Sequence, residues 1–159
     1  MNIRNRHRLR KKEAKNLAHR IEAAVGIEIP ADGLEVGILS QHKVLLSDGN
    51  VIAFFVGDEP FPVVKVFTKY LNAKRYVVVD MGAVPYVTRG ADVMCPGIVD
   101  ADISIRAGDL VWVRDEKNGQ PLAIGRSLMS GPALKSSKSG KGVETIHYVG
   151  DRLWQAYTS

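Results

Sequence analysis

Between Gly82 and Gly97 the chain reads Gly82-Ala83-Val84-Pro85-Tyr86-Val87-Thr88-Arg89-Gly90-Ala91-Asp92-Val93-Met94-Cys95-Pro96-Gly97. Its residue types suit contact with a phosphate backbone. Arg89 offers a guanidinium and Thr88 a hydroxyl, both donors that phosphate oxygens accept. Glycines at both ends and in the middle carry no Cβ, so this backbone can approach another closely. Tyr86 supplies a ring on which an unpaired base could stack, although one aromatic at a helix start is more often core. An RNA duplex presents a shallow minor groove lined with 2′-hydroxyls, which suits a smooth ridge carrying few donors. Tyr86, Thr88, Arg89, Gly90, Ala91 and Gly97 are therefore the candidate RNA contacts. Taken one at a time, Gly82, Gly90 and Gly97 are explained more simply by tight turns, and Val84, Val87 and Val93 by a core.

Further cations extend the candidate surface. Lys135, Lys138 and Lys141 alternate with serine and glycine in a loop, and Arg126 sits beside Gly125 on a strand that could face the same ligand. The net charge of +5 is unevenly distributed. Residues 1–25 hold eight Lys or Arg against Glu13 and Glu22, whereas the remaining 134 hold 14 basic and 15 acidic residues. Such a basic end attracts polyanions with strong salt dependence. Taken alone, such an end reads as a solvated, disordered arm; beside an RNA-binding module, Arg8, Lys11 and Lys12 on it are candidate RNA contacts, with His7 and His19 on the same basic face.

Signatures of catalysis are absent. There is no phosphate-binding P-loop, dinucleotide fingerprint or nucleophile elbow. The histidines His7, His19, His42 and His147 lack zinc-motif spacing, and no cofactor is expected. His147 in an alternating strand reads as a surface or hydrogen-bonded side chain. Asp100 and Asp102, before a strand, read as a solvated loop. The single cysteine, Cys95, lies between Met94 and Pro96 and reads as a small buried hydrophobe. One cysteine rules out a disulfide framework and a cysteine-based zinc cluster. With no apolar run of roughly 20 residues and no secretory leader pattern, a cytoplasmic setting is expected.

The elements that position these residues follow from periodicity and turn chemistry. Apolar residues from Arg8 to Val25 recur at helical spacing, and Gly26 closes the run. Leu34–Ser40, His42–Ser47 and Asn50–Val56 read as strands, with a hairpin at Asp48-Gly49. Pro60 and Pro62 are expected to break that sheet, and Val63–Leu71 to form a short helix packed on it. Polar residues at Asn72–Arg75 mark a boundary, giving an α/β domain over 1–75 and a second domain over 76–159. The second opens with a strand at Tyr76–Asp80, buried on both faces. Strands are expected at Ile103–Arg106, Leu110–Arg114, Pro121–Leu128, Val143–Val149 and Leu153–Tyr157, with a short helix within Gly131–Lys138. Trp112 is expected to pack on a barrel face and Trp154 to lid the barrel. Many short strands with closely spaced turns argue for a barrel. The fold class is thus α+β, a small antiparallel-sheet domain followed by a β-barrel.

Gly90–Gly97, Gly108-Asp109-Leu110-Val111-Trp112-Val113, Glu144-Thr145-Ile146-His147-Tyr148 and Gly150-Asp151-Arg152-Leu153-Trp154 resemble the PUA domain as it occurs in the family of malignant-T-cell-amplified protein and ligatin. Glu59-Pro60-Phe61-Pro62 and Lys69-Tyr70 extend the resemblance beyond the PUA part. The resemblance implies a non-catalytic RNA-binding protein of translation that binds tRNA or small-subunit rRNA. It also implies contact with the small ribosomal subunit and, in some members, a translation-factor partner carrying a start-site-recognition domain. The alternative is an RNA-modification enzyme or its specificity subunit, for which about 75 residues outside the barrel leave little room.

Overall fold

The computed structural model describes residues 2–157. An antiparallel sheet of five strands comes first: β1 (Arg4–Arg8), β2 (Glu35–Leu39), β3 (His42–Ser47), β4 (Asn50–Val56) and β5 (Glu59–Pro62), in that spatial order. Helix α1 (Lys11–Val25) packs beside it, with Ala14, Ile21 and Val25 buried on one face. Its run ends at Gly26, whose φ of 79° lets its N–H reach the Glu22 carbonyl at 2.8 Å. Asp48 (φ 50°) and Gly49 (φ 82°) both take the left-handed conformation that a two-residue hairpin turn requires.

Two expectations for this half are corrected. The helix, expected from Arg8, begins at Lys11, and Arg4–Arg8 ahead of it is an edge strand with every residue exposed. A charged edge resists pairing with other chains, which is one way such edges are protected. Pro60 and Pro62 do not break the sheet but lie within β5, opposite Phe55 and Ala53. As the outermost strand, β5 can lack two N–H donors without an unpaired neighbour. The following segment is a 3₁₀ helix, Val64–Lys69, that buries Val64, Val66 and Phe67.

The second sheet is mixed and nearly closed into a barrel, and its strands lie between residues 76 and 148. Around it run β7 (Val93–Met94), β11 (Lys141–Tyr148), β10 (Pro121–Ser127), β9 (Leu110–Asp115), β6 (Tyr76–Val79) and β8 (Ile98–Ala101). The β6–β9 pair is parallel and the others are antiparallel. Short helices α2 (Val84–Val87) and α3 (Gly131–Ser136) fill the connections.

Two strands expected here take other forms. Ile103–Arg106 is a turn, because the Asp102 carboxylate accepts the Ser104 N–H at 3.0 Å and its hydroxyl at 2.9 Å. The strand is instead Ile98–Ala101. Nor is Asp102 simply solvated, since it also accepts the Arg75 N–H at 2.6 Å. Arg152–Tyr157 forms helix α4, not a strand. Asp151 starts it by accepting the Trp154 N–H at 3.0 Å through its side chain.

The two sheets share a core. Along β9 the side chains alternate: Val111 and Val113 enter the barrel core, whereas Leu110 and Trp112 join the core of the first sheet. Trp112 is fully buried, stacks on Phe67 with ring centroids 4.7 Å apart, and donates its indole N–H to the Lys74 carbonyl. Helix α4 also returns to the first sheet, burying Leu153 and Ala156. Trp154 therefore packs against the first core, with the Lys65 ammonium 4.5 Å from its ring centroid, and does not cover the barrel.

Candidate nucleic-acid interface

The segment from Asp80 to Cys95 is a short helix on a stiff mount. Asp80 opens it by accepting the Ala83 N–H at 2.9 Å through its carboxylate. Pro85 sits in the first turn of α2, where its missing N–H costs nothing. The helix ends by returning the Ala91 N–H to the Tyr86 carbonyl. Asp92 then ties the segment to β11: one carboxylate oxygen accepts the Thr145 N–H at 2.9 Å and the other meets the Lys141 ammonium at 2.9 Å. The Thr145 hydroxyl completes the tie by donating to the Ala91 carbonyl.

This mount places Tyr86 outward, with 63% of its surface accessible, although a lone aromatic at a helix start reads more readily as core. Arg89 and Ala91 are exposed beside it. Thr88 turns its hydroxyl back to the Val84 carbonyl at 3.0 Å, so part of its donor capacity is used locally. Met81 and Met94, also exposed, flank the helix and were not singled out by the sequence pattern.

The glycines serve the fold. Gly90 has φ +91°, and a Cβ there would lie 2.7 Å from the Tyr148 ring. Gly97 has no positive φ; a Cβ on it would come within 3.2 Å of the Ala83 Cβ. Gly90→Val is expected to lower the melting temperature by roughly 5 °C or more, from left-handed strain and overpacking of order 2 kcal/mol. Replacing Tyr148 with leucine in that background recovers part of the loss. Thermal unfolding checks both, and an unchanged melting temperature for Gly90→Val contradicts this role.

The remaining candidates separate into groups. Lys138 is exposed in the loop whose Gly140 carbonyl accepts the Cys95 N–H, so it borders the α2 segment. Lys141 lies at the same edge but is paired with Asp92, and Lys135 pairs with Asp100 at 3.3 Å. Arg126 is turned to the first sheet: its guanidinium donates to the Gly108 carbonyl and meets Glu59 at 3.3 Å. Arg126 therefore joins the two halves, departing from the expected ligand face. Arg8, Lys11 and Lys12 form a separate exposed group on the first half, with Arg8 3.5 Å from Asp32. Cys95 is buried, as expected, and burial pushes its thiol up.

His147 is fully buried and satisfied at both nitrogens. Its Nε2 accepts the Val64 N–H at 3.1 Å, which leaves Nδ1 to donate to Asp151 at 2.8 Å. One imidazole thus fastens β11 to the first half and to α4.

The charged groups imply a pH dependence. The Lys141 hydrogen bond holds the Asp92 carboxyl below the ordinary range against partial burial. Burial raises the Asp151 carboxyl, but the hydrogen bond from His147, reinforced by backbone N–H groups, brings it below that range. Burial lowers His42. A lowered carboxyl contributes stability above its unfolded value, about 3.9, which is lost as pH falls through the folded value. For a lowered histidine the loss begins below the unfolded value of about 6.5. The urea midpoint is therefore expected to decline gently below about pH 6.5 and steeply below about pH 4. A midpoint that rises on acidification contradicts these assignments.

The mixed barrel with its mounted helix is a PUA domain, matched over residues 75–149, and residues 5–70 match a domain of unknown function, DUF1947. The chain belongs to the family of translation machinery-associated protein 20 and malignant T-cell-amplified sequence 1. It is 36% identical to translation machinery-associated protein 20 of Saccharomyces cerevisiae over 143 residues, covering 85% of this chain and 79% of that one. An uncharacterized protein of Methanocaldococcus jannaschii is 40% identical over 97% of this chain and 98% of its own. Among solved structures, a hypothetical protein of Pyrococcus horikoshii superposes with a TM-score of 0.89 at 36% identity, over 96% of this chain and 99% of that chain. A PUA domain protein of Thermoplasma acidophilum gives 0.80 at 33% identity, over 96% of this chain and 99% of that chain.

Proposed function

We propose that this protein binds structured RNA of the translation apparatus, tRNA or small-subunit rRNA, through the α2 face of its PUA domain, without catalysing a reaction. The PUA domain and relatives named for association with the translation machinery support an RNA-binding, translation-related role. The observation that carries the finer proposal is the placement of Tyr86 and Arg89, exposed on α2 and on the turn that follows it, in a segment pinned by Asp92, Thr145 and Tyr148. A backbone already held in place spares the entropy of ordering the segment when its exposed side chains meet a phosphate and a base. Lys138 at the border and the Arg8, Lys11 and Lys12 group would add electrostatic affinity. The first half, divided from the barrel near residues 72–75, would then serve to dock the small subunit or a translation-factor partner in the cytoplasm.

Retention of bulk tRNA on a filter, followed by mass analysis of its nucleosides, tests this proposal. Binding with unchanged nucleoside masses is expected. A mass change would favour an RNA-modification enzyme, and no retention at low salt would contradict RNA binding altogether.

A further inference from the structure

We propose that Arg4 and Arg152 form a second anion site, built to take a phosphate group, on the first sheet and away from the α2 face. Arg4 on β1 places its Nη2 3.2 Å from the Ser40 carbonyl oxygen, and Arg152 in the first turn of α4 places its Nη1 3.2 Å from the Ser40 hydroxyl. Two guanidiniums from opposite ends of the chain thus converge on one residue. Ser40 is held in the β2–β3 turn with φ 58°. Along β1 the other arginines have acidic partners, Arg6 in Glu35 at 2.9 Å and Arg8, more loosely, in Asp32 at 3.5 Å. Among the described residues, neither Arg4 nor Arg152 forms an ion pair.

Two like charges sharing a polar partner repel, and an anion between them relieves that cost. Guanidinium forks match phosphate oxygens in pairs, which favours phosphate over a monodentate anion. The cavity beside them, about 490 Å³ and lined also by Asn2, Leu39 and Gln155, is larger than a phosphate alone needs. It leaves room for an esterified group. The phosphate could belong to an RNA backbone or to a small phosphate compound. The RNA source rests on the RNA-binding proposal above, whereas the phosphate chemistry does not.

Two measurements test the site and separate the sources. Inorganic phosphate titrated into the unaltered protein is expected to shift the Arg4 and Arg152 side-chain N–H resonances together with the Ser40 backbone amide, and the Ser40 amide shift should disappear in Arg4→Gln/Arg152→Gln. Lys117→Gln, exposed on the β9–β10 turn, is the control and should retain it. Bulk tRNA binding is then followed across a salt series. A salt slope smaller by about 1 in the double variant, with tRNA competing against phosphate, assigns the site to RNA backbone. Phosphate-induced shifts with an unchanged tRNA slope assign it to a small phosphate compound. No shifts and an unchanged slope overturn the site. If the unaltered protein retains no tRNA, the RNA-binding proposal fails while the phosphate titration still decides this one.

Discussion

Replacing Trp112 with alanine is expected to destabilise the whole molecule by about 3–5 kcal/mol, and to do so in a single transition. Trp112 belongs to the barrel by chain and to the first sheet by packing. It is fully buried, stacked on Phe67, and hydrogen-bonded to the Lys74 carbonyl in the segment joining the halves. Truncation removes the stacked surface and leaves the part-buried Lys74 carbonyl without its donor. For a chain of this length the loss corresponds to a fall in melting temperature of roughly 6–20 °C. Far-ultraviolet circular dichroism is the appropriate readout, because the substitution removes one of two tryptophans. Should the barrel melt first while the first sheet persists, the shared core would not couple the halves. Phe67→Ala, acting from the other side of the same stack, should give a similar loss that is not additive with the first.

The second large effect concerns RNA. Arg89→Glu is expected to weaken bulk tRNA binding on the order of tenfold at low salt and to reduce the salt slope by about 1. Arg89 is exposed on the α2 segment and forms no ion pair among the described residues, so reversing it leaves the fold intact. Reversing Arg8, Lys11 and Lys12 together tests the other cationic group. If that group adds only electrostatic affinity, the triple variant loses binding at low salt and little at high salt, where Arg89→Glu still binds less well. Unchanged retention after reversal of all four would contradict the assigned surface.

Much of the fold was legible because its signals are local. The Asp48-Gly49 hairpin, the helix end at Gly26 and the apolar strand at Tyr76–Val79 each depend on a few adjacent residues. Elements without such signals were misread. β1 has charged or polar residues at every position and no apolar face, so nothing in its sequence distinguishes an edge strand from a basic extension of the helix. α4 is only six residues long and is started by Asp151, which also belongs to the β11 turn, so its apolar residues pass for a strand. Ile103 and Ile105 alternate like a strand, yet Asp102 folds them into a turn that exposes one and buries the other.

The candidate site was legible in its outward residues and not in its support. Arg89 follows from residue type, whereas Tyr86 by type reads more readily as core; the Asp92–Lys141 pair joins positions 49 apart in sequence, which no local spacing reveals. The same holds for Gly90 against Tyr148 and for His147 against Val64. Within Glu144–Tyr148, where part of the family resemblance lies, Thr145, His147 and Tyr148 hold the α2 segment and the first half in place. Arg126 shows the converse, a plausible phosphate ligand by type whose position gives it to Glu59.

The most direct test of the α2 assignment is residue-resolved amide mapping of the protein with bulk tRNA at low salt, read as chemical-shift perturbation. Perturbations centred on Tyr86–Ala91 and extending to Met94 and Lys138 are expected. Perturbations that bypass Tyr86–Ala91 entirely, while tRNA remains bound, would contradict it.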